Sequence, residues 1–229
     1  MTQENLNLER LLPVPSLKDM ALATIKEAIL SKKLVPERMY TEAVLTQELG
    51  ISRTPVREAL IHLASRGMIV YFPRKGFQIT PLTEKDVENL FELRLALEMT
   101  VIEHITPRLT DKSLAEIEKV LQRYLKVVQK GAPVHSLRAN RDFHTCLAGL
   151  TENSYLIKAL DEIRDLTDLA SVRSLEFDSR ALEAADEHER IIAELRKRSV
   201  KGALREMENH IRITKERVLA KTLPSNPAG

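Results

Sequence analysis

The sequence predicts a mainly α-helical protein: an N-terminal winged helix-turn-helix followed by a C-terminal antiparallel all-helical bundle. Three observations carry this. Long stretches are rich in Ala, Leu, Glu, Lys and Arg, while seven glycines, five phenylalanines, four tyrosines and no tryptophan in 229 residues are thin for an all-β fold. The β-prone residues gather in one place, "MIVYF" and "FQIT", joined by "PRKG", which fits one small hairpin. From Pro81 onward apolar residues recur at helical spacing and nothing reads as strand.

The first helix is expected from Ser16 to Ser31, with Leu22, Ile25, Ile29 and Leu30 on one face. "LVPERMY" breaks it, since Pro36 disfavours helix at the residue before it. "TEAVLTQELG" reads as a short helix, capped by Thr41 and ended by Gly50. In "ISRTPVREALIHLASRG" either Ser52 or Thr54 can cap, because Pro55 is tolerated in the first turn. Val56, Leu60 and Leu63 then face a core, and Gly67 closes the helix after Arg66. Beyond the hairpin, six helical segments lie near 83–106, 111–130, 134–150, 154–176, 180–199 and 201–220, divided by Pro107, "KGAP", "TENS" and Gly202. The expected organisation is a flexible tail at 1–15, a small domain at 16–81, a helical domain at 82–220 and a disordered tail at 221–229.

Charge is unevenly placed. The net charge is +2, yet residues 1–80 hold 11 Lys/Arg against 8 Asp/Glu, and 51–76 hold five basic residues against Glu58 alone. The single cysteine, Cys146, rules out an internal disulfide framework and fits a reducing compartment. "MTQENLNLER" lacks the basic start and apolar stretch of a signal peptide, and no apolar run approaches the roughly 20 residues that span a bilayer. The expectation is a cytoplasmic protein with no membrane partner.

Two short helices followed by a hairpin make a winged helix-turn-helix, whose second helix enters the DNA major groove by its N-terminal residues. "SRTPVREAL" leaves Arg53, Thr54 and Arg57 pointing outward from that leading turn. Free N–H groups and the helix dipole there attract phosphate, and an arginine fork can pair both acceptors of a guanine edge. At the hairpin tip, Arg74 and Lys75 would meet the backbone or minor groove. Double-stranded DNA is the partner this pattern calls for.

"LTQELGISRTPVREALIHLASRGMIVYFPRKGFQIT" closely resembles the DNA-binding domain of GntR-type bacterial transcription regulators, over about residues 17–80. The resemblance implies that Arg53, Thr54 and Arg57 read operator DNA and that Gly76 shapes the wing. Some members of the branch carry an arginine where this chain has Ala43, so no contact is carried over at that position. The second half, about 83–219, more loosely resembles the ligand-sensing FadR-like domain, on "LFELRLALE", "NRDFHTCLAGLTENSYL", "DEHERIIAEL" and "ALREMENHI". Six helices suggest the smaller VanR-like subgroup.

In relatives an acidic or amide residue and three histidines bind a divalent metal, and the matching positions are Asn140, His144, His188 and His210. Asn140 and His144, four apart, share a helix face; His188 and His210 fall on inward stripes of separate helices. Three imidazoles and an oxygen suit zinc or nickel, with places left open for a small carboxylate effector. Asn140 lacks the charge of the Asp found in many relatives, which should weaken the ion's hold. Arg94 is expected either to pair the effector's carboxylate or to form a salt bridge with a bundle glutamate. Cys146, about 200° round the helix from His144, should not be a ligand, and His62, His104 and His135 read as ordinary.

The function so implied is a ligand-responsive regulator, expected to be a repressor, binding a palindromic operator as a homodimer. A metal-dependent enzyme is the first alternative, but no H-E-x-x-H motif, phosphate-cradling glycine loop or nucleophile elbow appears. Glu187 and Glu189 flank His188, and at i±1 they are expected to point away from its face. The second alternative, an architectural DNA binder, has no need of a large second domain with an inward polar cluster.

Overall fold

A computed structural model describes residues 15–130, 133–174 and 177–222. The expected tails at 1–15 and 221–229 lie almost wholly outside the described residues, as does the middle of "KGAP". Helix α1 (Leu17–Leu30) starts from a reciprocal cap: the Ser16 hydroxyl accepts from the Asp19 N–H while the Asp19 carboxylate accepts from the Ser16 N–H. Helix α2 (Glu42–Leu49) is capped by Thr41 and ends at Gly50, whose φ of +63° suits a residue without Cβ. Helix α3 (Arg53–Ser65) takes Ser52 as its N-cap, but no side chain makes the capping bond, so the two expected candidates both leave it unmade. Val56, Ala59, Leu60 and Leu63 are buried between α3, α1 and the hairpin.

Strands β1 (Ile69–Phe72) and β2 (Gly76–Ile79) pair antiparallel, with Ile69 opposite Ile79 and Phe72 opposite Gly76. The turn is therefore Pro73–Lys75, with Arg74 at φ +63°, and Gly76 is the first residue of β2 and not part of the turn. Tyr40 stitches the wing to the segment before α2: its N–H donates to Phe77 O (2.9 Å) and the Phe77 N–H donates to Tyr40 O (2.8 Å). Gly76 has φ +129°, and a Cβ there would stand 2.0 Å from Tyr40 O. Only glycine fits that approach.

The second half folds as the six expected helices: α4 (Glu84–Ile105), α5 (Asp111–Val128), α6 (Pro133–Gly149), α7 (Ser154–Ser174), α8 (Phe177–Arg196) and α9 (Val200–Thr222). Pro107 interrupts between α4 and α5 as a 3-10 turn, Thr106–Arg108. Helix α9 packs on α4, α7 and α8, while α5 packs on α6 and α8. Phe91, Ile102, Tyr124, Phe143, Leu160 and Met207 are among the core side chains. Among the described residues no helix is long and apolar enough to cross a membrane. The core is not wholly apolar: Arg94, Glu98, His144, Arg164, Glu187, His188 and His210 are buried in it too. Buried ionisable groups are expensive unless paired or put to use.

Candidate functional site

Two places concentrate chemistry. The first is the face of the helix-turn-helix, where the leading turn of α3, the start of α2 and the wing enclose a cleft lined by Glu42, Arg53, Arg57, Tyr71, Arg74 and Lys75. Gly76 and Ala43 also border it, and Ala43 brings no polar group. Arg53, Thr54, Arg57, Arg74 and Lys75 are all exposed. The α3 N-terminus, with no side chain over its N–H groups, opens on the same face. Glu42 and Tyr71 are the residues here that sequence reasoning missed. The Tyr71 hydroxyl donates to Glu42 Oε1, and Arg57 Nε lies 3.9 Å from the same oxygen.

The second is a cluster of buried polar side chains inside the bundle. His144 from α6, His188 from α8 and His210 from α9 are each buried, and one nitrogen of each lies within 4.8 Å of the others. His188 is stacked on Phe143 with ring centroids 3.9 Å apart, and neither of its ring nitrogens has a hydrogen-bond partner. Burial, with nearby cations, holds His144 and His188 well below the ordinary histidine range, and burial lowers His210 in spite of Glu187 beside it. All three are therefore neutral imidazoles with lone pairs to offer.

Their tautomers follow from their partners. His210 Nδ1 lies 2.6 Å from Glu187 Oε2, which accepts the Nδ1–H and leaves Nε2 bare on the side of His144. Arg94 Nη2 donates to His144 Nε2 at 3.2 Å, so that nitrogen is bare as well. The two Nε2 atoms then face each other lone pair to lone pair at 3.2 Å. Two imidazole nitrogens on one tetrahedral zinc stand roughly 3.3–3.4 Å apart, so the spacing fits a shared cation. Glu187 is itself gripped by both terminal nitrogens of Arg180 at 2.7 Å; burial opposes its charge, but the bonds from His210 and Arg180 hold it at about 2. This is the carboxylate-to-histidine support that metal ligands commonly have.

Beside the imidazoles sits a charged trio. Glu98 is fully buried, with Arg94 Nε and Arg164 Nη2 each 3.9 Å from its Oε1. His144 Nδ1 is 3.1 Å from the same oxygen but lacks the alignment of a hydrogen bond, and both Glu98 oxygens remain unpaired. Burial raises the Glu98 carboxyl and lowers both guanidinium groups. Unpaired buried donors and acceptors gathered in one cluster are what a bound polar group or ion would satisfy.

Arg94 thus donates to His144 and approaches Glu98, the bundle glutamate of one of its two expected roles. Glu187, expected to point away from the face of His188, is buried and reaches the neighbouring His210. Asn140, one turn before His144, is half-buried. Cys146 is half-buried outside the histidine group; His62 and His135 are exposed, and His104 lies against Arg108. Glu98 and Arg164 went unread, although Phe91, Arg94, Glu98, Val101 and Ile105 form one inward stripe in which a charge is out of place.

A helix-turn-helix with a basic wing, joined to a helical domain with a buried polar cluster, defines a DNA-binding regulator with a sensory domain. The chain belongs to the gntR family of bacterial regulatory proteins: residues 17–79 match that family, and residues 89–213, over half the chain, match the FCD domain. It is 29% identical over 187 residues to the uncharacterized HTH-type transcriptional regulator YdhC of Bacillus subtilis, covering 81% of this chain and 84% of that protein. The Nta operon transcriptional regulator of Aminobacter aminovorans is 31% identical over 150 residues, covering 64% and 69%. In fold the chain is similar to E. coli McbR/YncC, with a TM-score of 0.77 at 19% identity over 90% of this chain and 98% of that one. These relatives are transcription regulators, not enzymes.

Proposed function

We propose that this chain is a cytoplasmic, ligand-responsive repressor that binds a palindromic double-stranded operator as a homodimer. In this reading residues 16–81 form the DNA-binding domain and 82–220 the effector-binding and dimerisation domain. Two copies are needed because one helix in one groove touches too few base pairs for useful specificity. Arg53, Thr54 and Arg57 meet base edges and phosphates, while Arg74 and Lys75 hold the backbone beside a wing shaped by Gly76.

His144, His188 and His210, with Asn140, would hold a divalent ion, zinc or nickel. When bound, such an ion supplies open coordination places for a small carboxylate effector. The observation that carries this part is the facing pair of bare Nε2 atoms, on His144 and His210. Arg94 and the ion compete for one lone pair on His144, so loading the site frees the Arg94 guanidinium to pair the effector's carboxylate. The effector would then shift a population between arrangements of the two DNA-binding domains, with no chemistry on it. Elemental analysis of purified protein tests the reading, with up to one divalent metal per chain expected. A chain that takes up none after incubation with zinc or nickel overturns the metal, and the effector then leans on Arg94 alone.

A further inference from the structure

The cleft on the DNA-facing side contains a carboxylate where phosphates are expected. Glu42 is the one acid lining it, among four cations. A carboxylate in the first turn of α2 suits the helix dipole, but that explains neither of its two partners. The Tyr71 hydroxyl, brought in from strand β1, donates to Glu42 Oε1, and Arg57 Nε of α3 lies 3.9 Å from that same atom. Three elements therefore converge on one oxygen.

The Arg57 side chain is 61% exposed, whereas the Glu42 side chain is 25% exposed and held from the wing. An arginine drawn toward a carboxylate on its Nε side, at ion-pair and not hydrogen-bond distance, can still turn both terminal nitrogens to the O6 and N7 acceptors of guanine. We propose that Glu42, fixed by Tyr71, is a positioning residue that sets the base selectivity of Arg57. The inference rests on the reading of this cleft as the operator-binding face. The hydrogen bond to Glu42 also raises the Tyr71 hydroxyl's pKa, which keeps it a donor. The carboxylate weakens attraction to DNA of any sequence and, by limiting where the guanidinium can go, sharpens the choice among sequences.

The test is selection of duplexes from a random-sequence library by the full chain and its Arg57→Ala, Glu42→Gln and Tyr71→Phe variants, with thermal melts confirming that each is folded. Arg57→Ala should lose its preference at one base step of each half-site. Glu42→Gln should lose it at the same step by about three- to tenfold, keep the others, and bind unselected duplex at least as tightly as the parent. Tyr71→Phe, which keeps the ring and removes only the donor, should show a smaller loss at that step, and it carries the test if Glu42→Gln fails to fold. The proposal is overturned if Glu42→Gln keeps the parent's preference at the step that Arg57→Ala loses. It is also overturned if affinity drops alike for all sequences with selectivity unchanged, as for a merely structural first-turn acid. If Arg57→Ala itself selects the parent sequence with full preference, the reading of Arg57 as a base contact fails first, and the proposal with it.

Discussion

Gly76 shows how far one missing methyl determines the wing. Its φ of +129° and the 2.0 Å that would separate an added Cβ from Tyr40 O leave no room for alanine. Gly76→Ala should destabilise the protein by about 2 kcal/mol or more, through backbone strain and overpacking together. Chemical denaturation of the variant checks this, and an unchanged midpoint would mean the wing is not held against Tyr40 as described. Arg57 and Lys75 differ in kind from Gly76 and from each other. Arg57→Ala should weaken specific binding by roughly 1–3 kcal/mol and relax selectivity. Lys75→Ala should lower affinity for all sequences alike and flatten the salt dependence. Gel-shift titrations on a selected duplex and a scrambled one, at two salt concentrations, separate the two outcomes.

The helices were the most legible elements, because a 3.6-residue apolar period survives in the sequence whatever the helix packs against. Six segments were expected after the hairpin and six long helices are present among the described residues; Pro107 and most of "TENS" lie between helices as expected, whereas Gly202, expected to divide the last two, falls inside the first turn of α9. His188 and His210 were legible as inward by the same period, and the resemblance to the FadR-like domain grouped them with His144. What the period hides is the width of that stripe. Helix α8 packs on both α5 and α9, so Glu187 and His188, 100° apart round the axis, are both interior. A carboxylate one residue from an inward histidine is therefore interior as well, and it serves the neighbouring His210. Glu98 and Arg164 were missed because charges are assigned to the surface by default, and only packing shows two helices pressing them together. The histidines on α6, α8 and α9 make a prediction at this scale. His144→Ala should abolish metal uptake, while Asn140→Asp should tighten it by adding charge to the set. Zinc should raise the melting temperature of the parent and not that of His144→Ala, since an ion linking three helices stabilises only the folded chain. Equal melts with and without zinc in the parent would count against the site.

At the scale of the whole molecule, the DNA-binding half and the bundle are joined by ion pairs centred on one buried carboxylate, with Arg138–Glu27 a further link between α6 and α1. Asp165 of α7 is nearly buried and receives Lys26 of α1, Arg66 at the end of α3 (2.8 Å) and Arg141 of α6 (2.6 Å). Arg66 also donates to Asp161 at 3.0 Å, and Leu166 lies against Gly67, just past α3. The preceding residue, Arg164, turns the other way, toward the buried Glu98 and the Thr145 hydroxyl of α6. Consecutive residues of α7 thus face the DNA-binding half and the sensory site. Burial opposes charge on Asp165, but the bond from Lys26 and the charges of Lys26 and Arg141 hold it at about 2. Its folded pKa is depressed below the unfolded value of about 3.9, so its contribution is present above that value and is lost as pH falls toward 2. A shift of that size corresponds to roughly 2–3 kcal/mol. Asp165→Asn should cost about that much at pH 7, because it leaves Lys26, Arg66 and Arg141 with less charge to share. Calorimetry at pH 7 should show the variant melting lower, with the two halves beginning to unfold separately. Between pH 5 and pH 3 the parent should lose stability faster than the variant, so that the gap narrows. Identical melts at pH 7, or a gap that stays constant into acid, would mean that Asp165 does not hold the two halves together.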